Sequence, residues 1–185
     1  MENLLNFYKS EEEQLNKHLL KVKKTLRIIS ILRLVVFILT IGGIYLLFDN
    51  TLLASASLII GGSSFYYLIA RYSKKKTEKE LLGCKIQINQ AEIKVQNGNF
   101  SFLPTGKEFI NSNHDFSHDI DLFGAKSFFQ YLNRTSTIDG RDKLANLMTE
   151  NHTSTIDQKQ EAIKELSEKV KWRQHFSALS SMVKT

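Results

Sequence analysis

Two uninterrupted apolar segments dominate the first 70 residues of the chain. Residues 34–48 and 51–70 contain no charged side chain, and only the polar dipeptide at 49–50 separates them. A helix needs about 20 apolar residues to cross the hydrocarbon core of a bilayer. The second segment meets that length directly, and the first meets it if the span begins near Ile28 and Arg33 extends toward the headgroups. The pattern predicts a transmembrane helical hairpin.

The charges at the two ends of this hairpin predict its orientation. Five cations closely precede the first segment, five follow the second, and the turn carries none. Because basic loops stay in the cytoplasm, both termini are expected on the cytoplasmic side. The cations expected to flank the membrane are Arg33, Arg71, Lys74, Lys75 and Lys76, and the lysine run at 74–76 can also bind acidic lipid headgroups.

Two other interpretations of the apolar segments fit the sequence less well. A buried hairpin of a soluble protein would leave too little chain to cover about forty apolar residues. A cleaved signal peptide, with the small residues at 54–56 as its cleavage site, disagrees with the long acid-containing region before it. It also disagrees with the second apolar segment that follows at once.

Small residues and apolar stripes predict how the two helices of the hairpin pack. Gly42, Gly43, Ser57 and Gly61 are small enough to let the spans approach closely. In the polar flanks, apolar residues recur at helical spacing, and Gly98 suits the end of the second helix. The stripes are Leu15, Leu19, Val22, Leu26 and Ile29 within residues 3–30, and Leu82, Ile86 and Ile93 after the second span. A short antiparallel coiled coil is expected, with a partner helix or a second copy of the chain as the alternatives.

The segment at 99–126 combines turn-forming residues with isolated aromatics, and it predicts a connector to a C-terminal helical region. Its "TGK" at 105–107 lacks the rest of a phosphate loop, because Glu108 follows the lysine. The side chains in this segment with the chemistry of zinc ligands are His114, Asp115, His118, Asp119 and Asp121. No Cys or further His lies near them in the sequence, so a polar loop is expected and no metal ion is predicted.

Four short helices are predicted after the connector. The first covers residues 127–132, and Thr137 or Ser136 caps the second. Thr155 and Gln158 have the spacing of a capping box before the third, and a fourth helix follows. The apolar residues expected to pack in a core are Ile138, Leu144, Leu147, Met148, Ile156, Ile163, Leu166, Val170, Trp172, Phe176, Leu179 and Val183.

Composition agrees with an all-α protein anchored in a membrane. The 185 residues include one proline and one cysteine, Cys84, so an internal disulfide is impossible. The formal charge of +6 is accounted for by the flanks of the hairpin without nucleic acid. The expected divisions are a cytoplasmic amphipathic helix (1–33), a transmembrane hairpin (34–70), a return amphipathic helix (71–98), the connector (99–126) and the start of a helical core domain (127–185).

Two segments, "SFFQYLNRTSTIDGRDKLANLM" and "IDQKQEAIKELSEKVKWRQHF", carry a distinctive order of residues. They are Leu132, Asn133, Arg134, Thr135, Thr137, Gly140, Arg141, Leu144, Gln160, Glu161, Ala162, Glu165 and Leu166. This order resembles the start of the core, or lever, region of the MutS family of DNA mismatch-repair ATPases. A lead-in of Gly106, Phe109, His114, Phe116, Asp119, Asp121, Leu122, Phe123 and Gly124 is similar to a bacterial branch with membrane-spanning N-terminal helices. The resemblance covers about residues 104–180.

The chain departs from the family in several places. Ile138 stands where the family usually has proline, and Lys159 replaces an arginine. The mismatch-reading Phe-x-Glu motif and the ATP-binding G-x-x-x-x-G-K-[ST] motif are both absent from the sequence. The resemblance therefore implies an N-terminal piece of a longer protein, or a truncated gene product, with ATP and Mg²⁺ bound only by the missing family domain.

The resemblance implies a non-catalytic scaffold in the bacterial inner membrane, with two spans and both termini cytoplasmic. The hairpin would anchor the root of a lever that couples an absent ATPase to DNA. Membrane lipid is the expected partner, a homodimer is possible, and no cofactor or small-molecule substrate is expected. DNA would bind only with the missing domains. Arg134, Arg141 and Lys143 could contact its phosphates, although solvated helix charges are the favoured interpretation of these three residues. The alternative is a membrane adaptor that recruits a partner, or dimerises, through its coiled-coil stripes without binding DNA.

Overall fold

The computed structural model describes residues 2–150 and 154–183, and every regular element in these ranges is helical. The all-α prediction is confirmed for this part of the chain. The elements are α1 (Glu2–Leu46), α2 (Thr51–Gln96), a 3-10 turn (Lys107–Phe109), α3 (Phe128–Leu132), α4 (Ile138–Thr149), α5 (Ile156–Glu168) and α6 (Val170–Met182). The chain divides into a hairpin unit, Glu13–Gly83, and a C-terminal unit that joins Met1–Glu12 to Cys84–Thr185.

Helices α1 and α2 run without a break through the predicted divisions at residues 33 and 71. No proline lies in either helix, so nothing interrupts the backbone where the polar flanks meet the apolar segments. Asn50 immediately precedes α2, and its side-chain oxygen accepts hydrogen bonds from the backbone N–H groups of Leu52 and Leu53. Gly98 follows the end of α2 with φ +81°, the left-handed conformation that commonly ends a helix, as predicted.

Within the hairpin unit, the predicted stripes pack against each other. Val22, Leu26 and Leu82 form a buried cluster, with Leu15, Leu19 and Tyr72 packed around it. His18 contacts Glu78, and nearer the turn Thr40 lies against Gly61. As residue numbers rise along α1, those of the contacted residues fall along α2. The α1 stripe therefore packs against Leu82 of the second stripe, whereas Ile86 and Ile93 lie in the C-terminal unit.

The small residues of the spans lie where the two helices come closest. A Cβ atom at Gly61 would overlap the Thr40 side chain, which is held by a 2.7 Å hydrogen bond from its hydroxyl to the carbonyl oxygen of Val36. A Cβ atom at Gly43 would lie 2.6 Å from the hydroxyl of Ser57. Gly42 has nothing within 4 Å of such a Cβ, so its predicted part in close packing is wrong. It lies on another side of the same helix.

Substituting Gly61 with isoleucine is expected to separate α1 from α2 locally, because the new side chain has no space beside Thr40. Overpacking of this kind costs about 1–3 kcal/mol. Gly62→Ile is the matched control, since a Cβ there meets nothing within 4 Å. Thermal melting of the helical circular dichroism signal in detergent should show a lower midpoint for Gly61→Ile only. Equal melting of the two variants would contradict this packing.

The C-terminal unit builds its core largely from the segment predicted to be only a connector. Leu122 and Phe123 are buried with Phe129 and Ala145, and Phe109, Phe116, Leu144 and Met148 pack against them. The segment at 99–126 thus contributes four aromatic or aliphatic side chains to this core. Isolated aromatics in a polar segment give no period of 2 or 3.6, so the sequence pattern did not reveal that they converge.

A buried glutamine fixes this segment to α3. The Gln130 side chain is 1% exposed, and its Nε2 donates hydrogen bonds to the carbonyl oxygens of Ser101 and Leu103 at 3.1 and 2.6 Å. Its Oε1 accepts from the backbone N–H of Lys126 at 2.7 Å. Ser127 caps α3 by accepting from the N–H of Gln130, as the predicted start at 127 requires. These bonds join backbone groups at 101–103 and at 126 to the first turn of α3.

Helices α5 and α6 present most of their predicted core residues to solvent. α5 has no buried residue, and α6 buries Gln174 and Ala178. Gln174 donates a 3.0 Å hydrogen bond to the fully buried Asn89, so a polar face of α6 packs on α2. The predicted core residues that are exposed are Ile138, Leu147, Ile156, Ile163, Leu166, Trp172, Phe176, Leu179 and Val183. The predicted capping box is also wrong, because the Thr155 side chain makes no capping hydrogen bond.

Candidate functional site

The apolar parts of α1 and α2 are exposed. Both helices are long and apolar enough to cross a membrane, and only 6% and 0% of their most apolar 18-residue windows are buried. Large side chains such as Leu39 and Ile59 are 66% and 67% exposed. Core helices of soluble proteins hide such side chains, because exposed apolar surface is unfavourable in water. The hairpin unit therefore presents an apolar surface of the kind that lipid tails would cover.

The predicted membrane-flanking cations occupy different settings. The Arg33 guanidinium lies over the rings of Phe65 and Tyr72, with its carbon 5.7 and 5.3 Å from their centres. Arg71 donates a 3.2 Å hydrogen bond to the hydroxyl of Tyr67. Lys74 and Lys76 are exposed.

Lys75 is engaged within the protein. Its ammonium donates a 2.6 Å hydrogen bond to the Glu78 carboxylate. This hydrogen bond is the main cause that lowers the pKa of Glu78, and partial desolvation opposes it. His18 lies 3.1 Å from the other oxygen of the same carboxylate. Because these groups are partly exposed, we treat their contribution to stability as small.

The three predicted phosphate contacts are not equally available. Arg134 forms a 2.6 Å ion pair with Glu92 and donates hydrogen bonds to two backbone carbonyl oxygens. Arg141 pairs with Glu108 at 3.1 Å and lies over the ring of Phe109. Lys143 is exposed and makes no ion pair in the part of the chain that the structure describes. Lys143 is thus the one of the three with an uncommitted charge.

Several residues that carry the family resemblance stabilise the turn between α3 and α4. The side-chain oxygen of Asn133 accepts hydrogen bonds from the backbone N–H and the hydroxyl of Thr135, at 3.0 and 2.7 Å. Thr137 caps α4 by accepting from the N–H of Gly140 at 3.1 Å, as predicted. A Cβ at Gly140 would lie 2.9 Å from that threonine oxygen. These residue types therefore have a structural role in the turn that requires no ligand.

A groove of about 220 Å³ lies in the C-terminal unit, beside the Arg134–Glu92 pair. Tyr8 of α1 lines it with Arg173 and Pro104, and the tyrosine is 7% exposed. Burial is the main cause that raises the pKa of Tyr8, and the charge of Glu92 adds to it, while Arg173 and Arg134 act in the opposite direction. The Tyr8 phenol therefore stays neutral throughout the physiological range.

Sequence reasoning missed Tyr8, Glu92 and the buried Asn89–Gln174 hydrogen bond. One available signal was that Tyr8 lies seven residues before Leu15, so it continues the predicted stripe toward the N-terminus. No comparable signal marked Glu92 or Asn89, because polar residues on a helix are usually solvated.

The ring of His114 orders the loop that carries the candidate zinc ligands. Nδ1 of His114 accepts hydrogen bonds from the backbone N–H groups of Phe116 and Ser117, at 3.5 and 3.3 Å. The His114 ring also packs edge-on against Phe116. Across residues 2–150 and 154–183, no three His, Cys, Asp or Glu side chains converge to hold a metal ion. His114 therefore orders the loop backbone.

Comparison with protein-family models, curated proteins and solved structures found no match to this chain. Its functional interpretation therefore depends on its own residues and contacts.

Proposed function

We propose that this protein is a membrane-anchored, MutS-like scaffold that is not itself catalytic. Its hairpin unit crosses the bacterial inner membrane twice, and its C-terminal unit is the root of a lever linked to DNA mismatch repair. The observation that carries the proposal is the pair of long helices with exposed apolar segments. Cations lie at the end of these segments away from the turn.

The distribution of charge supports the cytoplasmic placement of both ends. The hairpin unit carries eleven Lys and Arg against four Asp and Glu, a formal charge of +7, whereas the remaining residues carry fourteen against fifteen. The excess of Lys and Arg over Asp and Glu is thus concentrated in the hairpin unit, at the end away from the turn. Cytoplasmic loops of membrane proteins have this excess.

The packing in the hairpin unit supports an antiparallel coiled coil that continues the spans into the cytoplasm. The residues facing the partner helix on α1, namely Leu15, Leu19, Val22, Leu26, Ile29, Arg33, Val36 and Thr40, are spaced alternately by three and four. This is the 3.5-residue repeat of a coiled coil.

The proposed link to DNA repair rests on the family resemblance alone. The turn at residues 133–140 gives the resembling residues a shared structural purpose, as an anchored start for α4. No residue in the sequence provides a phosphate loop, so the scaffold is proposed to bind no nucleotide and to hydrolyse no ATP. Measured ATP turnover by the purified full chain, above that of a mock purification, would contradict this.

A membrane adaptor without DNA binding is the second candidate. The exposed apolar faces of α5 and α6, which include Ile163, Trp172 and Phe176, favour it. Apolar residues left uncovered on two adjacent helices are typical of a surface that binds another protein. Crosslinking in native membranes would distinguish the two functions, since an adaptor should yield a specific partner and show no salt-dependent retention on DNA.

The topology can be tested with the single cysteine. Cys84 is expected to react with a membrane-impermeant maleimide only after cells are permeabilised, because it follows the second span on the cytoplasmic side. In a Cys84→Ser background, Asp49→Cys in the exposed turn should react in spheroplasts with intact inner membranes. Denatured samples control for the partial burial of Cys84. The reverse labelling pattern would contradict the proposed orientation.

A binding test can separate the three candidate phosphate contacts. If the reconstituted chain is retained on duplex DNA, Lys143→Gln is expected to lower the slope of log affinity against log salt by about 1, because one phosphate contact is lost. Arg134→Gln should leave the slope unchanged, because Arg134 is already paired with Glu92. A loss of slope for Arg134→Gln equal to that for Lys143→Gln would show that the ion pair opens to DNA.

A further inference from the structure

Arg33 is the cation of the hairpin unit that the structure holds most specifically. Its guanidinium lies between the rings of Phe65 and Tyr72, which are seven residues apart on α2. Phe37, one turn further along α1, packs against Phe65 with ring centres 6.5 Å apart and so supports one side of this bracket. Attraction to two aromatic faces restricts the guanidinium to a narrow set of orientations.

The protein itself provides Arg33 with no anion. Its Nε atom is buried without a hydrogen-bond partner, and the Arg33 side chain forms no ion pair in the described part of the chain. Two of the four acids in the hairpin unit, Glu13 and Glu78, are paired with lysines. Asp49 lies in the turn at the other end of the hairpin, and Glu80 is exposed about two helical turns beyond Tyr72 on α2. A partly buried guanidinium without an acceptor is unfavourable, so an external acceptor is expected.

The depth of Arg33 identifies the source of that acceptor. The thirteen residues from 34 to the end of α1 at Leu46 form about 20 Å of helix at 1.5 Å per residue, whereas the hydrocarbon core is about 30 Å thick. With the turn at the far boundary, Arg33 therefore lies about 10 Å inside the near boundary of the hydrocarbon. At that depth the available anions are the phosphates of lipid headgroups, drawn inward to the guanidinium.

We infer that Arg33, bracketed by Phe65 and Tyr72, forms a binding site for the phosphate of an anionic phospholipid headgroup at the cytoplasmic face. This inference rests on the proposed membrane insertion. A guanidinium can donate two parallel hydrogen bonds to one phosphate. The positive charge of Arg33, together with Arg71 and Lys74 nearby on α2, favours a headgroup with net negative charge over a zwitterionic one.

The test compares lipid retention by matched arginine variants of the full chain. The protein is reconstituted in vesicles with equal amounts of phosphatidylglycerol and phosphatidylcholine, released into mild detergent, and its bound lipids are counted by mass spectrometry. Wild type is expected to retain phosphatidylglycerol preferentially, and Arg33→Gln to reduce that preference about tenfold, as loss of a hydrogen bond to a charged group predicts. Arg27→Gln is the control, because Arg27 is exposed on the same helix and loses the same charge.

Further variants keep the inference testable if Arg33→Gln is misfolded. Phe65→Leu and Tyr72→Leu retain the arginine but remove its bracket, and each should reduce the preference several-fold. An unchanged preference in folded Arg33→Gln, or an equal loss in Arg27→Gln, would overturn the site. Both results leave membrane insertion intact. A wild-type chain that fails to enter vesicles would instead contradict the proposed function itself.

Discussion

Ile60→Arg is expected to remove most of the protein from the membrane fraction. Ile60 lies midway along the second span and is 67% exposed, so its side chain faces the lipid in the proposed arrangement. An arginine at the centre of a transmembrane helix costs about 2.5–3.5 kcal/mol on the scale derived from insertion. This span also contains several serines and glycines, which leave it little excess hydrophobicity to absorb that cost. The measurement is the fraction of protein retained by carbonate-washed membranes.

Leu20→Arg is the matched control for this experiment. Leu20 is 66% exposed on α1, in the polar flank before the first span. An additional cation there should leave insertion unchanged and agrees with the basic character of the cytoplasmic flank. Equal membrane retention of Ile60→Arg and Leu20→Arg would mean that residue 60 does not face the hydrocarbon. Recovery of the wild type in the aqueous fraction without detergent would show that the hairpin unit does not insert in the membrane.

The elements that could be predicted from the sequence are those with strong local signals. The apolar segments determined the long helices, and Gly98 marked the end of α2, because its positive φ is a property of that residue and its neighbours. Thr137 was one of two predicted caps for α4 for a similar reason, since the capping hydrogen bond joins residues three apart. Signals of this kind require no knowledge of the tertiary structure.

The arrangement of the C-terminal unit could not be predicted in the same way. Apolar residues on α5 and α6 recur at helical spacing, and this periodicity favoured the wrong face. α6 instead packs through Gln174 and Ala178, because Gln174 finds a buried partner in Asn89, 85 residues earlier. Periodicity identifies an apolar face, but it does not reveal whether another part of the chain covers that face.

The candidate site likewise has features that follow from neighbouring residues in the sequence and features that depend on residues far along the chain. The cations that flank the spans were identified from their position beside apolar segments. Their contacts were not, since Arg33 depends on aromatic rings more than 30 residues away and Arg134 on Glu92, 42 residues away. The sequence alone gives the charge of such a residue. Whether the residue is available to a ligand depends on the side chains that contact it in the folded protein.

Phe129→Ala is expected to destabilise the C-terminal unit by about 3–5 kcal/mol, the usual cost of truncating a buried phenylalanine. Phe129 is fully buried, with its ring centre 5.2 Å from that of Phe123 and 5.6 Å from that of Phe109. Gly106 closes the remaining side, since a Cβ there would lie 2.6 Å from the Phe129 ring. The segments at 106–109 and 122–123 contact this ring, and Ala145 of α4 belongs to the same buried cluster. Loss of the ring should therefore loosen the predicted connector together with α3 and α4.

Amide hydrogen exchange across residues 122–148 measures this effect locally, without interference from the helices of the hairpin unit. A loss of 3–5 kcal/mol corresponds to exchange faster by at least about a hundredfold, up to the limit set by complete unfolding. Phe128→Ala provides the adjacent control, because that side chain is 59% exposed and its truncation removes no buried contact. If Phe128→Ala accelerated exchange as much as Phe129→Ala, the core would have to be formed by the opposite face of α3.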